Sequence, residues 1–121
     1  MKNFLSPLTK IFSSKPSIES EIREMAYKNY PNNVDTQNFI YQKHLAAYKF
    51  LKTAQDHTLK DIAVKNYPSN YMMQQHIYNE QLAARKFMSS ATNEAAKAIA
   101  KEKYPKDYSS QKFIYKELDK Q

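Results

Sequence analysis

Apolar and polar positions along this chain recur every 37 residues. Tyr30-Pro31, Tyr67-Pro68 and Tyr104-Pro105 mark the same point in three copies. In that register Met25, Ile62 and Ile99 share a column, followed by Ala26, Ala63 and Ala100. Gln37, Gln74 and Gln111 agree, as do Ile40, Ile77 and Ile114, then Tyr41, Tyr78 and Tyr115. The first two copies run on together through Leu45-Ala46-Ala47 and Leu82-Ala83-Ala84. They then share Lys49 and Lys86, Phe50 and Phe87, and Ala54 and Ala91. Self-similarity at such a period is the signature of a repeat architecture. The repeats span 19–55, 56–92 and 93–121, the last covering about half of its second helix.

Each copy reads as two helices. The first runs from about Ser20 to Asn29 in copy one, with Ile22, Met25, Ala26 and Tyr30 on one face. Its start column is Glu19, Asp56 and Asn93, of which the last two are good N-caps. It ends at Tyr-Pro, because proline disfavours helical geometry in the residue before it and lacks a backbone donor. The second helix follows the column Asn33, Asn70, Asp107, an N-cap preference written three times, and runs to about Ala54 and Ala91. Its predicted apolar arc is wide, taking in Phe39, Ile40, Tyr41, Ala46, Ala47, Tyr48, Phe50, Leu51 and Ala54. Asn38, Gln42, Lys49 and Lys52 form the polar pole. A helix lying on one core needs an apolar stripe of about 100°, so the wider arc predicts contact from two sides, as when helix pairs stack. The expected fold is all-α: three tandem helix–turn–helix repeats stacked as a small solenoid or a compact bundle. Ala47, Leu51 and Ala54 have the small–large–small spacing of tetratricopeptide-like second helices. The period, the position of Tyr-Pro and the unequal helix lengths all differ from that family, and no functional residue is carried over from it.

Residues 1–18 stand apart. Met1–Ser17 holds no acid, and Phe4, Leu5, Leu8, Ile11 and Phe12 fall on one helical stripe. The reading favoured here is a short amphipathic helix that caps the open end of the core. Without an apolar run of seven or a small-residue cleavage site it does not read as a secretory signal, and organelle targeting and membrane-surface binding are minority readings.

Composition narrows the function classes. The chain has 121 residues and a net charge of +7, with no Cys and no Gly. That excludes disulfides, thiolate zinc sites and every Gly-rich phosphate loop. No stretch approaches the roughly 20 apolar residues of a membrane span. Lys outnumbers Arg seventeen to two, a bias that AT-rich codons account for, and the charge is spread along the chain rather than gathered in a tail. His44, His57 and His76 occupy no shared column and have no metal-ligand spacing. His44 and His76 are expected as packing residues on the apolar arc. No Ser sits in a nucleophile elbow, so no catalytic residue, metal or cofactor is expected. Glu19, Glu21 and Glu24 sit where a helix N-terminus favours acids.

Two functional classes remain. The first is a non-catalytic, cytoplasmic interaction protein that binds a protein partner. Small size and AT-rich composition suit a phage- or plasmid-type protein occluding a host complex. The alternative is a basic nucleic-acid-binding protein in which Lys28, Lys49, Lys65 and Lys86 track phosphates while Tyr30 and Tyr67 stack on bases. The Tyr-Pro tyrosines are expected to be structural, each closing the apolar face of its first helix. The Gln37 column is expected to bond backbone between copies. Oligomeric state does not follow from the sequence.

Overall fold

The computed structural model describes residues 17–121. Among them are six α-helices and no strand: α1 (Ile18–Asn29), α2 (Val34–Thr53), α3 (His57–Asn66), α4 (Tyr71–Ser90), α5 (Glu94–Lys103) and α6 (Tyr108–Asp119). The expected capping helix falls, up to Pro16, outside the described residues. The chain divides into two compact units, residues 1–45 and 46–121, with the division inside α2.

The helix starts follow from side-chain capping. Asp56, Asn70, Asn93 and Asp107 each accept a hydrogen bond from the backbone N–H three residues on, at 3.0–3.1 Å. Asn33 does the same for Thr36 N–H at 3.0 Å. Each bond satisfies one of the N–H groups that a helix start leaves unpaired. Copy one departs from the expected start column: α1 begins two residues before Ser20, because Ser17 takes the cap and accepts from Ser20 N–H at 3.1 Å. Serine caps well and glutamate does not, so Glu19 lies in the first turn instead.

The short helices end alike. Tyr30, Tyr67 and Tyr104 leave the helical region, at φ −136°, −140° and −134° with ψ 64°, 76° and 77°, because the proline that follows each one disfavours helical geometry. Their N–H groups still donate to Ala26, Ala63 and Ala100. The carbonyl of each tyrosine then accepts from the side-chain amide of Gln37, Gln74 or Gln111, at 2.6, 2.7 and 2.6 Å. These glutamines are buried. Each bonds within its own copy, a correction to the expectation of a bond between copies. The reason is reach: seven residues from Tyr to Gln span the turn and one helical turn, bringing the amide back over the helix end.

In the unit 46–121, α3 packs on α4, α4 on α6 and α5 on α6. Its core has two clusters, Leu51, Leu59, Ala63 and Tyr78, then Met88, Ala96, Ala100 and Tyr115. The members occupy the same four columns. Edge-to-face rings accompany both, Phe50 on Tyr78 at 5.8 Å and Phe87 on Tyr115 at 5.7 Å. In the unit 1–45, Ile22 and Ala26 hold the columns of Leu59 and Ala63 and are 2% and 1% exposed.

The buried arc of α2 is narrower than its apolar composition suggests. Gln37, His44, Ala47 and Leu51 are buried, whereas Phe39 is 58% exposed and Ala46 is exposed. Two polar residues hold the core line and two apolar ones face outward, so apolar identity alone overstated the contact.

Candidate interaction surface

The outward face of the long helices is the best-defined surface feature. On α2, Asp35, Phe39, Gln42, Ala46 and Lys49 are all exposed. On α4 the same columns, Met72, His76, Asn79, Ala83 and Lys86, are all exposed too. The spacing of 4, 3, 4 and 3 residues puts each set on one helical stripe. In α6 the column of Phe39 and His76 is filled by Phe113, which is 64% exposed. Two of the three copies therefore present a phenyl ring to solvent at one register position. Lys43 Nζ lies 5.4 Å from the Phe39 ring centre, a cation–π distance.

His76 corrects the sequence expectation. It is solvent-exposed and lies 3.5 Å from Glu80 one turn on, because the 39/76/113 column points away from the core. His44 is buried as expected, and its Nδ1 has no hydrogen-bond partner among the described residues. Burial lowers its pKa, since desolvation disfavours the charged ring.

Lys49, Lys65 and Lys86 are exposed, and their ammonium groups form no ion pair among the described residues. Lys28 is exposed in the last turn of α1 and pairs with Glu24 at 3.6 Å. Tyr30, Tyr67 and Tyr104 are 40%, 37% and 40% exposed, and Pro31, Pro68 and Pro105 are exposed beside them. The tyrosine rings thus close their helix faces only partly; it is their carbonyls that are tied down.

Both arginines are engaged within the chain. Arg23 stacks 3.8 Å over the Tyr41 ring and donates to Asn38 at 3.3 Å. Arg85 donates to the Asp56 carboxylate. The Leu59 N–H and then Arg85 hold the Asp56 carboxyl below its ordinary value. At Asp107 burial pushes the carboxyl upward, and hydrogen bonds from Gln81, Ser110 and the α6 start outweigh it, so the net shift is downward. Gln81 donates to Asp107 Oδ1 and accepts from Tyr108 N–H, both at 2.8 Å. Sequence reasoning passed over Gln81 because its column reads His44, Gln81, Leu118 and does not repeat.

No group of three or more metal-ligating side chains occurs among the described residues. No helix among them is long and apolar enough to cross a membrane. Comparison with protein-family models, with curated proteins and with solved structures returned no match to this chain.

Proposed function

We propose that this chain is a non-catalytic helical-repeat protein, with three helix pairs in sequence, that binds a protein partner on the outward faces of its long helices. The observation that carries the reading is the shared exposed stripe: five columns exposed in both α2 and α4, with Phe39 and Phe113 outward in one column. Exposed phenyl rings fit the centre of a protein interface, where aromatic residues are enriched. Lys49 and Lys86 then form a cationic rim.

The test is a cross-linking pull-down comparing the full chain with a Phe39→Ser/Phe113→Ser variant, quantified protein by protein. A partner recovered with the native chain and lost with the variant is expected. Identical recovery from both would overturn the reading.

A second reading, nucleic-acid binding, draws support from the exposed ammonium groups of Lys49, Lys65 and Lys86, which form no ion pair among the described residues. It ranks lower because Arg23 and Arg85, the only forked cations, are already occupied. Under it, Lys49→Glu with Lys86→Glu weakens nucleic-acid binding and flattens its salt dependence by about one unit per lost phosphate contact.

A further inference from the structure

The C-terminal end of α3 and the Tyr104 turn together line a cleft of about 340 Å³. Its walls carry Lys65 from α3, Lys103 from α5 and Lys106 from the turn, over an apolar floor of Ile62, Tyr104 and Pro105. Its single acid, Asp107, is committed to capping α6 and to Gln81. Two other clefts mix charges: Glu19 and Glu24 stand with Arg23 in one, and Glu117 and Asp119 with Lys116 and Lys120 in another. The turn cleft gathers three cations from three segments.

The end of a helix attracts lysine in any case, since its last carbonyls carry partial negative charge. That explanation covers Lys65 and Lys103, each in the last turn of its helix, but not Lys106 in the turn beyond α5. Lys28, in the column of Lys65, is neutralised by Glu24. Lys65, Lys103 and Lys106 have no such partner among the described residues.

We infer that this cleft binds a small phosphorylated ligand of mononucleotide size, its phosphate held by Lys65, Lys103 and Lys106 and its ring lying on Tyr104 and Pro105. Lysine serves as a point-charge binder of phosphate, and three lysines lining one cleft favour the dianion over singly charged anions. The volume sits at the lower end of the ~300–1,000 Å³ of small-molecule sites. The site is separate from the outward stripe of the long helices, and its fate does not depend on that reading.

The test is titration of the full chain with AMP, inorganic phosphate and adenosine, followed by amide chemical shifts. The chain is compared with a Lys65→Gln/Lys103→Gln/Lys106→Gln variant and a variant of equal charge loss, Lys52→Gln/Lys112→Gln/Lys116→Gln. Circular dichroism of both confirms that these exposed changes leave the helices intact. Expected are shifts centred on Lys65, Tyr104 and Lys106 with AMP, weaker binding of phosphate, and none of adenosine. The cleft variant loses at least about tenfold in AMP affinity, ~1.4 kcal/mol, and the other variant does not. Equal losses in both variants, adenosine binding as well as AMP, or no shifts at the cleft would each overturn the inference.

Discussion

Gln74 offers the sharpest test of how the Tyr-Pro turn is held. Its side chain is 3% exposed and donates to the Tyr67 carbonyl at 2.7 Å. Leucine at this position is close in size, so Gln74→Leu removes the donor with little loss of volume. A hydrogen bond of this kind contributes about 0.5–1.5 kcal/mol net, and a buried acceptor left unpaired costs about 1–3 kcal/mol. Tyr67 O retains a long contact from Asn70 N–H at 3.4 Å, which places the effect toward the lower end. The expected loss is about 1–2 kcal/mol, read as a fall of about 4–16 °C in Tm for a domain of roughly 100 residues. Gln74→Glu should cost more, because an ionised carboxylate would face the same carbonyl with no proton to donate. Far-UV circular dichroism during heating and urea titration measures both. Gln111→Leu removes a 2.6 Å bond to Tyr104 O, which keeps no second backbone N–H contact among the described residues, and should cost at least as much. A loss under about 0.5 kcal/mol in the two leucine variants would refute the argument that these amides hold the turn.

Three further outcomes follow from the core and the caps. Leu59 is 0% exposed within the first cluster, so Leu59→Ala should cost about 2–5 kcal/mol in urea unfolding. Asp56→Ala should lose about 1–2 kcal/mol by removing the α3 cap, while Asp56→Asn, which caps equally well, should lose under ~1 kcal/mol from the partly exposed Arg85 pair. For pH, burial sets the His44 pKa below its unfolded value of about 6.5, so the unfolded chain binds the proton more readily. Stability is therefore full above that value and declines as pH falls from it toward the folded pKa. His44→Leu should flatten that limb in pH-dependent urea midpoints, and an unchanged profile would discount His44.

The turns were the most legible part of the sequence because each rests on local chemistry. Tyr-Pro stops a helix through the geometry of one dipeptide, and Asn70 or Asp107 starts the next through a side chain reaching three residues ahead. Ser17 shows the limit. Repeat register pointed to Glu19, yet capping depends on side-chain chemistry rather than column, and the better cap two residues earlier took the helix start. The candidate surface was half legible: Lys49 and Lys86 were singled out by repetition, whereas Lys103 and Lys106 belong to no repeated lysine column.

Over the described residues, the sequence by itself determined an all-helical fold, its helix boundaries to within about two residues, and the columns that recur. Those follow from periodicity, capping preference and proline, all of which act over a few residues. Only the tertiary structure decided which apolar side chains are buried. Phe39 and Phe113 face water while Gln37, Gln74 and Gln111 lie in the interior. Burial is settled by what packs against a face and by whether a polar group finds a partner there. The amide N–H of each glutamine donates inside to a tyrosine carbonyl seven residues back, and no pattern of hydrophobicity along the chain records that bond.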